Sequence, residues 1–414
     1  MSVAPGFSLD AQALIDQVRS IYGDAFIPLH RPVFEGNERQ YLIDCIDSNF
    51  VSSVGVKVTE FEERIAAFTG AKYAVATVNG TAALHVALQL AGVQRGDEVL
   101  SQALTFIATC NALTYAGAEP VFIDVDRDTL GLSPEALRRW LSANAEVRGG
   151  QAYNRTSGKR IAACVPMHTF GFPLRIAEVV AVCEEFGIPV VEDAAESLGS
   201  YVGTRHTGTF GKLATLSFNG NKVITTGGGG MIVTNDEALA KRAKHLTTTA
   251  KVPHPYEFVH DEVGYNYRLP NLNAALGCAQ MERLQEMLAI KADVAARYSG
   301  FFEDSGIRFV QPIAGATANW WLNAIVLEDE AARDALLEYT NAQGVMTRPI
   351  WRLMSRLEMF KHCQQDGLEN SRWLEARVVN LPSSVPDGAM TQFQRGQDAL
   401  QGLADQAQAL GMGY

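Results

Sequence analysis

Lys222 stands ahead of four consecutive glycines in SFNGNKVITTGGGGMIVTND, the stretch from Ser217 to Asp236. A lysine amine removed from water loses its proton more readily and can attack a carbonyl carbon, so a lysine presented by such a loop is a candidate nucleophile and proton carrier. Glycine permits positive φ and close backbone approach, at an entropic cost of up to roughly 1 kcal/mol per residue, so four in a row need a reason. Two nucleotide-binding patterns do not fit: G-x-G-x-x-G would require glycine where Ile232 stands, and no G-K-[ST] of a P-loop is present. Asp193, in VVEDAAESLGS, ends a strongly apolar run, where a carboxylate is costly unless a cation or hydrogen bonds meet it. In VNGTAALHVAL an Asn79-Gly80 turn leads into a helix whose first residues, Thr81 and Ala82, offer free backbone N–H groups to an anion.

Taken singly, these are equally an exposed lysine in a turn, a helix-capping aspartate and an ordinary strand-to-helix turn. Taken together they describe one ligand with an anionic group, a cationic ring nitrogen and a carbonyl carbon. Pyridoxal phosphate has all three, and a lysine paired with an acidic ring-nitrogen partner is its mark.

The elements that must position these residues are legible from about residue 59 onward, where helix and strand alternate with short turns, as in an α/β domain on a largely parallel sheet. Thr59 and Glu62 have capping-box spacing for the helix EFEERIAAFT, with Gly70 at its end; KYAVATV reads as a buried strand and TAALHVALQLAG as a buried helix. Ser133 and Pro134 open another helix. IAACVPMH, GIPVVEDA, ATLSFN and GGMIVTN are apolar runs that end in polar residues, and ligands in such sheets sit at the strand carboxyl ends. The functional reading therefore falls first on Asn79, Gly80, His168, Glu192, Asp193, Asn219 and Lys222. Residues 1–30 read as an N-terminal helical segment, 31–255 as a large domain, and 256–414 as a smaller one that contains a long helix and the run NWWLNAIVL. The pair Trp320 and Trp321 is expected in the core of that smaller domain.

The net charge of −11 argues against a nucleic-acid partner and weakly against anionic membranes. No apolar run approaches the roughly 20 residues of a membrane span, so a cytoplasmic protein with no membrane partner is expected. The six cysteines have no metal-ligand spacing, and no metal is expected.

The ordered motifs NGTAALHVAL, LTFIATCNAL, VPMHTFGFP, EDAAESLGS, SFNGNKVITTGGGG, GYNYRLPNLNAALG and TRPIW, between FIPLHRPVFEGNE and LPSSVP, resemble the DegT-type sugar aminotransferases. The resemblance implies a fold-type-I pyridoxal-phosphate transferase, α/β in class, with a mostly parallel central sheet flanked by helices and a smaller C-terminal α+β domain. It implies Lys222 as the Schiff-base lysine, Asp193 as the ring-nitrogen partner, and Glu196 near the ring hydroxyl. Phe106 resembles the stacking aromatic, with Ala195 on the opposite ring face, and Gly80, Thr81 and Ser217 match the phosphate cradle. Asn266 is similar to a residue that reaches the phosphate from a second subunit, which implies a homodimer with shared active sites. His168 resembles a histidine close to the cofactor and is carried as a catalytic candidate. Arg268 and Arg348 have the guanidinium chemistry to hold a donor carboxylate or a sugar-nucleotide diphosphate, and equally to form structural ion pairs.

The expected reaction is ping-pong transamination from L-glutamate to a nucleotide-linked keto sugar. Two departures from common family wording stand out: Asn219-Gly220-Asn221 where many members read x-P-T, and glycine throughout Gly227–Gly230 where many read G-E-G-G. The Asn-Gly-Asn-Lys form, with HTFGFP and DSNFVSSVG, resembles members of the bacillosamine and legionaminic-acid pathways, which aminate C4 of a UDP-linked 4-keto-6-deoxy-N-acetylhexosamine. The rivals are a sugar dehydratase, against which Lys222 argues, the same transamination on a GDP- or dTDP-linked sugar, and a non-catalytic cofactor-binding regulator. The glycine run is expected to pack closely beneath the cofactor, so that valine at Gly228 or Gly229 lowers cofactor binding.

Overall fold

Continuous apolar runs bounded by turn residues become strands buried on both faces, and in the computed structural model, which describes residues 9–398, they build one central sheet. Leu213–Ser217 lies parallel to Val191–Asp193 and antiparallel to Gly230–Thr234, which in turn pairs antiparallel with Tyr73–Thr77. Glu98–Gln102 lies parallel to both Glu119–Ile123 and Arg160–Val165. Parallel bridges between Cys164 and Val190 and between Met167 and Asp193 join the two groups. All of these strands except Gly230–Thr234 therefore run in one direction, and helices such as Gly80–Leu90, Ile107–Tyr115 and Ile176–Glu185 flank them.

Arg308–Phe309, Asn323–Val326, Val378–Leu381 and Arg348–Pro349 form a smaller antiparallel sheet. The helix Ala11–Tyr22 buries Leu14, Ile15 and Val18 in the same apolar cluster as Phe309, Ile325, Leu336 and Leu381. The helix Asn271–Phe302 contributes to this cluster through Tyr298 and to the main core through Cys278 and Leu284. We retain the division of the chain near residue 255 as a proposal. No helix among the described residues is long and apolar enough to cross a membrane.

Local signals hold at several helix ends. Ser133 Oγ accepts from the Ala136 N–H at 3.3 Å with Pro134 in the first turn, and Gly70 closes its helix at φ 75°. The capping box expected at Thr59 and Glu62 is a correction. That helix starts at Val56, and the Asn271 side chain caps it by accepting from the Lys57 N–H at 3.1 Å. Glu62 instead accepts from the Ala76 N–H at 2.8 Å and pairs with Arg268, so the long-range demand of a neighbouring strand overrides the local motif.

Candidate active site

Asp193 ends its strand beside the amino-terminal end of the helix Ile107–Tyr115. Thr109 donates its hydroxyl to Asp193 Oδ2 at 2.8 Å, and the Ala195 N–H reaches Oδ1 at 3.2 Å. Burial raises the pKa of this carboxyl, against the two hydrogen bonds and the Lys222 charge, which lower it. No cation lies within 4.0 Å of the carboxylate among the described residues. A desolvated acid without a cationic partner is suited to receive one from a ligand.

Lys222 follows a turn in which its N–H donates to the Asn219 carbonyl at 3.0 Å. Its Nζ lies 3.1 Å from Glu196 Oε1 and 3.8 Å from the centre of the Trp321 ring, and its side chain is only 13% exposed. Glu196 Oε2 also accepts from the Phe170 N–H at 2.9 Å. Burial pushes the Glu196 carboxyl up to about 7, the Lys222 charge opposing.

Asn79 caps the helix Gly80–Leu90. Its side chain takes the Ala82 N–H at 2.7 Å and its carbonyl the Ala83 N–H, which leaves the Gly80 and Thr81 amides outside the helix's own bonding. A Cβ on Gly80 would stand 3.0 Å from that of Ser217, so the helix end and the strand end meet closely. Gly80, Thr81 and Ser217 share one cavity of about 880 Å³ with Asp193, Glu196 and Lys222. Ala195, Phe106 and Arg348 also line it, Phe106 being exposed at its wall. Amide donors at a helix end, an unpaired buried carboxylate and a lysine amine in one cavity fit the phosphate, ring nitrogen and carbonyl carbon of pyridoxal phosphate.

Three residues stand elsewhere. His168 is fully buried and does not line the cavity: its Nε2 lies 3.0 Å from Glu192 Oε2, and its Nδ1 accepts from the Leu174 N–H at 3.3 Å. Both ring nitrogens are thus engaged, which corrects the expectation of a catalytic histidine. Glu192 faces the same way because successive residues of a strand point to opposite sides, and it accepts from the Gly208, Phe210 and Gly211 amides. Arg268 is also a correction. It is buried against Glu62 and the Ala76 carbonyl, not presented to a substrate. Asn266 is exposed and lies outside this cavity of its own chain.

Four cavity residues had no local signal. Thr109 sits within LTFIATCNAL, Arg352 is an exposed second guanidinium beside Arg348, and His30 comes from the far amino-terminal segment. Trp321 is buried as expected for core, yet its ring face also supports the Lys222 amine.

The glycine run resolves into unequal parts. Gly227 has φ +78°, the left-handed region that favours glycine. At Gly229 a Cβ would meet Thr226 Oγ1 at 2.1 Å, and at Gly230 it would meet backbone atoms of Asn79 at 2.4 Å and the Gly80 nitrogen at 2.7 Å. Gly228 has nothing closer than the Val78 carbonyl oxygen at 3.7 Å, so the expectation that a side chain there crowds the site is corrected for small residues. Gly230→Ala is expected to shift the Asn79-Gly80 turn and weaken cofactor binding by about tenfold or more, while Gly228→Ala leaves it within about twofold. Titration of both cofactor-free variants with pyridoxal phosphate checks this, and equal affinities would refute it.

The model of the DegT/DnrJ/EryC1/StrS aminotransferase family matches residues 32–392 of the chain. The chain is similar to EpsN of Bacillus subtilis (strain 168), with 37% identity over 375 residues, covering 89% of this chain and 93% of that protein. It is similar to the GDP-perosamine synthase of Vibrio cholerae, with 34% identity over 360 residues, covering 86% and 94%. Among solved structures it resembles DesI, crystallised in the presence of its TDP-sugar product, with a TM-score of 0.77 and 28% identity over 95% of this chain and 96% of that one.

Proposed function

Since the chain belongs to the DegT/DnrJ/EryC1/StrS aminotransferase family, and is thereby a pyridoxal-phosphate-dependent sugar aminotransferase, we propose that it aminates C4 of a UDP-linked 4-keto-6-deoxy-N-acetylhexosamine with L-glutamate as donor. One observation carries the site reading: Lys222, Asp193 and the Gly80 helix end share a cavity with guanidinium groups on its wall.

Pyridoxal phosphate, when bound, supplies the electron sink that makes the donor Cα–H acidic. Asp193, held by Thr109 and the Ala195 N–H, would keep a proton on the ring nitrogen. The Gly80 and Thr81 amides and Ser217 would hold the phosphate, and Phe106 and Ala195, on the wall of the same cavity, would flank the ring. Lys222 Nζ removes the proton from the donor Cα, and in the second half-reaction it delivers one to the sugar carbon. Glu196 accepts a hydrogen bond from that amine, and a carboxyl group with a pKa near 7 can take up or release a proton as the amine changes charge. Trp321 and Glu196 confine the amine to one side of the cavity.

Arg348 and Arg352 at the wall suit the diphosphate of a sugar nucleotide. Asn266, exposed on its own chain, acts in the site of a second copy. The exposed apolar side chains Phe50, Val51, Val54, Tyr256 and Phe258 support an extensive contact between the two copies.

The substrate is tested by preparing the amine-loaded enzyme with glutamate and presenting UDP-, GDP- and dTDP-linked 4-keto-6-deoxy sugars, following return of the visible cofactor band. The UDP-linked N-acetylhexosamine is expected to react at least about tenfold faster in kcat/KM than the others. The similarity to a GDP-perosamine synthase favours a GDP-linked sugar as the second reading, and faster reaction with the GDP-linked ketone would replace the first.

A further inference from the structure

Lys291 lies in the interior of the helix Asn271–Phe302, with 1% of its surface exposed. Its Nζ is 3.0 Å from His30 Nε2 and 3.3 Å from the Trp321 carbonyl oxygen, and it also contacts the Ser383 carbonyl oxygen. No carboxylate lies within 4.0 Å of it among the described residues. An ammonium has three donors and no acceptor, and three acceptors surround this one. His30 Nε2 is then an acceptor, so the single proton of the neutral imidazole resides on Nδ1. Burial and the Lys291 and Lys222 charges keep that imidazole from protonating.

Two of the three residues that touch this amine, His30 and Trp321, lead to the reactive lysine. Trp321 donates its indole N–H to the Asn221 carbonyl at 2.6 Å, and its ring face lies 3.8 Å from Lys222 Nζ. His30 lines the same cavity as Asn221 and Lys222. A lone buried ammonium is a cost to folding that an apolar residue of similar shape would relieve. Its place against Trp321, whose ring abuts Lys222, and against His30, which lines the same cavity, gives it a use.

We propose that Lys291 is a positioning residue for Lys222, acting through His30 and Trp321: it fixes the His30 tautomer and the Trp321 ring, and thereby the place of the Lys222 amine in the cavity. The proposal rests on the reading of Lys222 as the proton carrier. Because burial pulls the Lys291 amine down to about 7, its charge is itself sensitive to pH near neutrality. The groups around it are the His30 ring and the two carbonyl oxygens, with the Lys222–Glu196 pair beyond them.

The test has two parts, both on the holoenzyme. Nitrogen-15 NMR of histidine-labelled wild type, with His30→Gln used for assignment, is expected to show His30 protonated at Nδ1; protonation at Nε2 would overturn the proposal without any variant of Lys291. Lys291→Met is expected to melt no lower than wild type, yet to slow discharge of the visible band by glutamate about tenfold with less than about threefold change in the glutamate concentration at half-maximal rate. Loss of a nearby cation is also expected to move the pH midpoint of the visible band upward, by roughly half a unit or more. Partial recovery of the discharge rate by Lys291→Gln, which keeps a donor, supports the proposal. A Lys291→Met enzyme with wild-type midpoint and discharge rate overturns it. If Lys222→Ala itself discharges normally, the reading of Lys222 fails instead, which separates the two failures.

Discussion

Lys222→Ala is expected to yield a folded protein in which both half-reactions are slowed by at least about 10³-fold, because one group supplies both the nucleophile and the proton transfer. The fold should survive. Lys222 is held at a cavity wall by one carboxylate and one ring face and closes no part of the core. Its removal leaves Glu196 without the charge that opposes its raised pKa, so that carboxyl is neutral near pH 7 and no buried anion is stranded. The measurement is the visible spectrum of the purified protein before and after L-glutamate, followed by stopped-flow discharge. Wild type should show a band that bleaches with glutamate. The variant should lack that band or keep bound cofactor unchanged by glutamate, and bleaching at the wild-type rate would remove Lys222 from the mechanism.

The second large effect is expected at Asp193. Asparagine has nearly the same shape and keeps an oxygen for the Ala195 N–H, while its amide nitrogen stands where Oδ2 was and donates to the Thr109 hydroxyl oxygen, so Asp193→Asn tests charge with little change in packing. It removes a carboxylate whose pKa burial has raised, and the cofactor-free variant should melt at or above the wild-type temperature. With cofactor the sign reverses. A buried cation left without its anion costs about 3–5 kcal/mol, which corresponds to a loss of roughly 10²- to 10³-fold or more shared between cofactor affinity and turnover. Spectral titration with pyridoxal phosphate and single-turnover rates with glutamate separate the two shares. An Asp193→Asn enzyme with wild-type affinity and rate would show that the ring nitrogen needs no anion here.

A good deal of this site can be read along the chain. Lys222, Asp193, Glu196, Gly80, Thr81, Ser217, Ala195, Phe106 and Arg348 stand in short motifs, and the structure gathers them around one cavity. The expectations that failed share a cause. Glu62 and Arg268 are separated by 206 positions, and their one contact displaces both the capping box proposed for Glu62 and the substrate contact proposed for Arg268. His168 and Asp193 both follow apolar strands and look alike in sequence, yet one points into the packed interior towards Glu192 and the other into the cavity. Thr109, His30, Trp321 and Lys291 each carry an ordinary local context, and only their partners across the fold make them part of the site or its support.

The chain alone marks the strands Tyr73–Thr77, Arg160–Val165, Val191–Asp193, Leu213–Ser217 and Gly230–Thr234 and the polar residues beside their ends. These follow from apolar runs, glycine and proline, and capping residues, whose energetics are decided within a few positions of the chain. Packing across the fold settles which of those polar groups meets a partner and which is left free for a ligand. The reason is desolvation: a buried charge or donor takes its state from the atoms packed around it, and those atoms come from segments that local propensity does not connect.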